Sequence, residues 1–133
     1  MIRFLPEQVV LAIHEDQVRR YGGALTLRDA GALDSALHMP MAQFGGQYVH
    51  SSFFHIAAAY GFHLSQNHPF IDGNKRVAGM TMLTFLAFNG LEVIADEGNY
   101  YETIMALARG ELDKERLVEW LRSNTRGTPP ALT

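Results

Sequence analysis

The chain has no cysteine, so it can hold neither a disulfide framework nor a thiolate nucleophile. That usage suits a reducing compartment, and a cytoplasmic location is expected. Charge is sparse as well: Asp, Glu, Lys and Arg make 19% of the residues, and the formal net charge is −3. Without a basic field to attract nucleic acid or an anionic membrane, neither direct DNA binding nor membrane association is expected. Long apolar runs are missing too. The longest, Val77 to Phe88, falls short of a membrane span and contains Thr81 and Thr84, so it reads as a core helix. Met1 to Glu7 is broken by Pro6 and Glu7 too early to act as a secretory signal. Segments with a period of two are nearly absent, as are repeats, low-complexity tracts and dividing linkers.

What is present is a 133-residue chain, 47% hydrophobic, enough for one domain (1–133) with a proper core. Pro6 suits a first helical turn, and Val9, Val10, Ile13 and Tyr21 share a face until Gly22-Gly23 ends the helix. Asp29 can cap a short helix carrying Leu33, Ala36 and Leu37, which Pro40 stops near Met39. Residues 41–50, with Gly45-Gly46 at the centre, predict a flap-like loop or small hairpin. Ser51 or Ser52 can cap a third helix over Phe53 to Ser65, apolar on nearly every side. A fourth is expected from about Asn74 to Asn89, terminated by Gly90. Leu91 to Ala95 reads as briefly extended. Asn99 with Glu102 resembles a capping box for a helix to Arg109, and Asp113 caps a last one with Leu117, Trp120 and Leu121 on one side. Gly127, Pro129 and Pro130 predict a flexible tail over about 125–133. The expected architecture is an all-α orthogonal bundle of about six helices.

One loop concentrates polar chemistry between the two most apolar segments: His68-Pro69-Phe70-Ile71-Asp72-Gly73-Asn74-Lys75-Arg76. Pro69 disfavours helical geometry at His68, so the third helix ends by Asn67 or His68 and the imidazole sits at a helix terminus. Phe70 has no polar tip and is placed to plug into the core. Lys75 and Arg76 fall in the first turn of the next helix, where the dipole disfavours a cation by ~0.3–1 kcal/mol. An anion reverses that sign, collecting free N–H groups, the Asn74 amide, the Lys75 ammonium and the Arg76 guanidinium. Polyphosphate is the obvious candidate. Asp72 is the single carboxylate that Mg²⁺ wants when phosphates and water supply its other ligands. His68, with a reference pKa of about 6.5, then suits a base for a hydroxyl attacking phosphorus. No Gly-x4-Gly-Lys-Ser/Thr occurs, so this is not a P-loop.

The loop resembles the signature of the Fic/Doc superfamily, and more closely its Doc (death-on-curing) toxin branch. Arg28 to Leu33 and Gly110 to Lys114 also look like Doc segments. The resemblance implies transfer of a phosphorus-containing group from a nucleotide to a protein hydroxyl. Carried over by position, it makes His68 the general base, Phe70 the structural anchor and Asp72 the Mg²⁺ ligand. Gly73, Asn74, Lys75 and Arg76 become the phosphate cradle. Lys75 stands where most Fic enzymes have Gly, and Gly79 where they have a second Arg. The commoner pattern goes with AMP transfer; in the Doc branch the Lys goes with a changed nucleotide orientation and γ-phosphate transfer. The family's inhibitory motif, Ser/Thr-x-x-x-Glu-Gly/Asn, is absent, because Val93 holds the Ser/Thr position before Glu97-Gly98. Restraint is therefore expected from a separate antitoxin chain, and 41–50 lies where the family places its target-docking flap.

Each residue also has a plainer reading. Alone, His68 is a capping or core histidine, Asp72 a turn residue before Gly73, and Lys75 a solvent-facing lysine. The fixed frame of the loop favours chemistry. His50, His55 and His63 show no metal-ligand spacing and read as core or partly exposed, while His14 and His38 carry no signal. The aromatics of the third and fourth helices read as packing, and Arg19-Arg20 and Lys114 to Arg116 as solvated helix faces. The expected protein is thus a Doc-like toxin. It would use ATP and Mg²⁺ to phosphorylate a hydroxyl on a translation factor such as elongation factor Tu. AMP transfer, a phosphoester hydrolase and a catalytically silent helical binding module are the alternatives.

Overall fold

Two helices with almost no polar face must hide against each other and against whatever else the chain supplies. The computed structural model describes residues 1–130, and there they form the centre of an all-α fold. The order is α1 (Glu7–Tyr21), α2 (Ala30–His38), a 3₁₀ turn (Met39–Met41), β1 (Gln43–Phe44), β2 (Gln47–Tyr48), α3 (Phe53–Asn67), α4 (Asn74–Phe88), β3 (Glu92–Val93), α5 (Glu97–Ala108), α6 (Lys114–Ser123) and β4 (Thr125–Arg126). No helix among the described residues is long and apolar enough to cross a membrane.

α3 is the hub, packed on α2, α4, α5 and α6, while α1 lies on α4. Ala57, Ala58 and Ala59 are fully buried, and a Cβ on Gly61 would run into the Met82 thioether, so small residues let α3 and α4 approach closely. Phe53, Tyr60 and Phe85 fill the space beside them. The Tyr60 hydroxyl accepts from the Leu5 N–H at 3.1 Å, and Asn89 bonds both backbone groups of Arg3, which ties the N-terminal segment across the core. Burial raises the Tyr60 phenol above its ordinary pKa.

The expected helix count and the 41–50 hairpin are present: β1 pairs antiparallel with β2 across Gly45-Gly46. α3 ends at Asn67, as Pro69 leads one to expect. Two details differ from the sequence reading. α5 begins at Glu97 because Asp96, whose carboxylate accepts from the Asn99 N–H at 2.8 Å, is its cap. Asn99 instead turns its amide oxygen to the Trp120 indole N–H (2.6 Å), a partner on α6 that local spacing does not reveal. The flexible tail does not begin at 125: Thr125 and Arg126 pair with Val93 and Glu92, and Arg126 bonds the Glu92 carboxylate. Residues 131–133 of that expected tail lie outside the described residues.

Candidate active site

The loop joining α3 to α4 is clamped from outside by the segment following α1. Leu27 and Phe70 form an antiparallel bridge, and the Ile71 N–H donates to the Thr26 carbonyl at 3.0 Å. The Arg28 and Asp29 N–H groups both donate to the Pro69 carbonyl, at 2.7 and 3.0 Å. The Arg28 side chain then caps the end of α3, its Nε donating to the His68 carbonyl (2.6 Å) and its Nη2 to that of Asn67 (2.9 Å). These are carbonyls that a helix C-terminus leaves without intrahelical donors.

Within this clamp His68 takes φ 48° and ψ 56°, the one positive φ outside glycine among the described residues. Left-handed geometry costs a non-glycine residue roughly 1–2 kcal/mol. Pro69 removes the right-handed alternative, and the Arg28 bonds hold the result. The imidazole emerges exposed, and its ring takes no hydrogen bond from the described residues.

Phe70 is 2% exposed and stacks on His14, with ring centroids 3.7 Å apart and planes 10° from parallel. The His14 Nε2–H donates to the Asp72 carbonyl at 2.8 Å, which requires the proton on that nitrogen. Gly73, at φ 87°, turns the chain into α4, and a Cβ there would press on His14 at 3.4 Å. Sequence reasoning assigned nothing to His14 or to the side chain of Arg28. Both act across tens of residues, and no local pattern marks them.

The Asp72 carboxylate accepts from the Ala24 N–H at 2.8 Å, and its side chain packs over Gly23, where a Cβ would come within 2.9 Å of the Asp72 Cβ. The Asn74 amide is committed to the loop itself, accepting from the Phe70 N–H (3.0 Å) and donating to the Phe70 carbonyl (2.9 Å). A role for Asn74 toward phosphate therefore falls to its backbone N–H. Lys75 and Arg76 make no ion pair among the described residues; the Arg76 guanidinium lies 4.5 Å above the Tyr21 ring.

Gly73, Asn74, Lys75 and Arg76 line a cavity of about 660 Å³, closed by Tyr21, Arg20 and Asp16 from α1 and by Tyr100, Tyr101, Ile104 and Met105 from α5. Its charge is cationic, since the one carboxylate in the wall, Asp16, is paired with Arg20 at 2.9 Å. The structure thus brings four of the expected residues to one concavity of a size suited to a small-molecule ligand. It leaves His68 and Asp72 on the exposed loop, outside the cavity wall.

The other histidines are engaged elsewhere. His63 Nε2 accepts from the Lys114 ammonium at 3.2 Å, which makes Lys114 a half-buried partner over Phe62 rather than part of a solvated face. Burial first, then Lys114 and His50, lowers the His63 pKa to about 4. His50 is lowered for the same first two reasons. His55 Nδ1 meets the Ser52 hydroxyl at 2.6 Å, at the cap of α3.

Comparison with known proteins identifies the family. A family model described as the Fic/DOC family matches residues 4–86. A protein named Toxin Doc from Mycolicibacterium smegmatis is 41% identical over 76 residues, the match covering 57% of this chain and 58% of that protein's length. A protein named Protein kinase doc from Escherichia phage P1 is 26% identical over 121 residues, covering 91% of this chain and 94% of that one. The region matched by the family model contains the clamp, the loop and nearly all of α4. The chain belongs to the Fic/Doc family, and within it to the Doc branch.

Proposed function

We propose that this protein is a Doc-type toxin that transfers the γ-phosphoryl group of ATP to a serine or threonine hydroxyl of a protein. The observation that carries the reading is the clamped loop. An unpartnered imidazole is held in a strained backbone beside a helix N-terminus whose two unpaired cations line a 660 Å³ cavity. Backbone N–H groups of Gly73 and Asn74, with Lys75 and Arg76, receive the phosphates. His68 takes the proton of the incoming hydroxyl as its oxygen bonds to the γ-phosphorus and the bond to the β-bridging oxygen breaks, releasing ADP.

Asp72 fits Mg²⁺. One carboxylate oxygen is anchored by Ala24, and no cluster of three or more ligating side chains occurs among the described residues. Phosphate and water would then complete the shell, the donor set that this ion favours. Bound there, Mg²⁺ would offset the charge of the phosphates. Relatives named as a toxin and as a protein kinase support the reading. The resemblance of the loop to the Doc branch points to a translation factor such as elongation factor Tu as the substrate, and the absence of cysteine suits a cytoplasmic setting. A separate antitoxin chain restrains the enzyme, because the inhibitory motif is absent from this sequence.

Incubation of purified protein and a candidate substrate with ATP labelled at the γ or the α position tests the proposal. Protein labelled from the γ position is the expected result. Label from the α position alone assigns AMP transfer instead, and phosphate release with no labelled protein assigns a hydrolase. Growth inhibition that survives His68→Ala would point to the silent binding module.

A further inference from the structure

Gly79 and Tyr100 compete for one volume. Gly79 is buried on α4, four residues after Lys75 and three after Arg76, so a side chain at 79 would share their face. A Cβ there would collide with the Tyr100 hydroxyl and come within 3.1 Å of both Tyr100 Cζ and Ile104 Cδ1. The α5 tyrosine therefore fills the space next in line after the two cations, one helical turn farther from the loop. It lines the same cavity as Lys75 and Arg76. Its hydroxyl has no hydrogen-bond partner among the described residues, and burial, followed by the neighbouring Tyr21, pushes its pKa up to about 12. At neutral pH it offers this cavity an uncharged donor.

We propose that Tyr100 is a specificity-determining residue of the nucleotide pocket, walling the phosphate site one turn beyond Lys75 and Arg76 so that the phosphate-facing side of α4 carries two cations and no third. The inference rests on the phosphoryl-transfer reading above and says why that transfer takes the terminal phosphate. The γ end of a triphosphate carries the most negative charge, and it settles where positive charge is densest. Here that is the helix N-terminus with Lys75 and Arg76, next to the loop that carries His68. The Tyr100 hydroxyl donates to a phosphate oxygen farther along the chain. A third cation at position 79 would draw the charged end one turn away and leave the α-phosphorus nearer the loop.

Three variants test this: Tyr100→Phe, which keeps the wall and loses the donor, Tyr100→Ala, and the pair Tyr100→Ala with Gly79→Arg. Each is checked by thermal melting and assayed with ATP labelled at α or γ. A non-hydrolysable ATP analogue is titrated by calorimetry in parallel. Tyr100→Phe is expected to keep γ transfer while weakening analogue binding and raising the KM for ATP by roughly tenfold, with kcat little changed. The double variant is expected to raise the ratio of α to γ label in product by about tenfold or more. A merely structural tyrosine would lower the melting temperature without moving either readout. Equal analogue affinity for wild type and Tyr100→Phe overturns the proposal, as does an unchanged label ratio in a folded double variant. A wild-type protein that transfers neither label sinks the phosphoryl-transfer reading instead, and the calorimetry still decides the role of Tyr100.

Discussion

Two places in this molecule gather histidines at the ends and edges of α3, and they differ in what the fold does with them. On the α3–α6 seam every ring with a described contact is already answered: His63 by Lys114, His55 by Ser52. At the far end of the same helix, His68 is left with an unpartnered ring on a backbone that its own residue type disfavours. The seam spends its polar groups on cohesion. The loop spends backbone bonds, a proline and an arginine on keeping one imidazole free. Backbone strain persists only where the surrounding structure over-determines it, and such positions cluster at active sites, which is why the proposed function is placed at His68.

The comparison breaks most sharply at His68 itself. Replacing it by Ala is expected to lower the transfer rate by ~10²–10⁴-fold with an unchanged melting temperature; an active variant would place the loop in the same class as the seam. Phe70→Ala removes the stacked partner of His14 from a fully packed site and should destabilise the fold by ~3–5 kcal/mol, read by urea unfolding. Marginal loss there would show that the loop is held by its backbone alone. Arg28→Ala takes both donors from the carbonyls of Asn67 and His68. We expect about a tenfold loss of kcat with a smaller change in stability. Arg28→Lys should recover only part of it, because the fork that spans two carbonyls is lost. Equal activity in all three proteins would show that Pro69 and the backbone bonds of the clamp hold His68 without the guanidinium.

The smallest effect belongs to the seam. The folded-state pKa of His63, about 4, lies below its ordinary 6.5. The unfolded chain therefore binds the extra proton, and stability falls as the pH drops through 6.5 towards 4, being complete above 6.5. Melting followed by Trp120 fluorescence should show a steeper decline across that window for the wild type than for His63→Gln. Parallel curves would mean that burial and Lys114 do not hold the His63 ring neutral in the folded protein.

Much of the fold could be read in advance because its causes are local. Pro6, Asp29, Ser52 and Asp113 sit at helix starts, Gly45-Gly46 makes a hairpin, and Gly73 and Gly90 turn the chain at positive φ. The start of α5 was misplaced because two residues, Asp96 and Asn99, both have capping chemistry, and only α6 decides between them by engaging Asn99 through Trp120. β4 escaped notice for a similar reason: two residues pairing with two others more than thirty positions away leave no period to detect. In the site, the loop was visible as an improbable run of polar groups between apolar helices. His14 was passed over because a lone histidine on an amphipathic helix looks the same whether it faces water or Phe70.

By itself the sequence determined the order and type of the helices, the bend between the two most apolar ones, and the side chains that the bend carries. Those follow from rotamer, capping and turn preferences acting over a few residues. Only the tertiary structure decided that Arg28 caps α3, that His14 props Phe70, that the Asn74 side chain is tied to the Phe70 backbone, and that Tyr100 fills the volume beside Gly79. Each joins residues distant along the chain, and such a pairing is selected by the packing of whole helices, which no short window of sequence encodes.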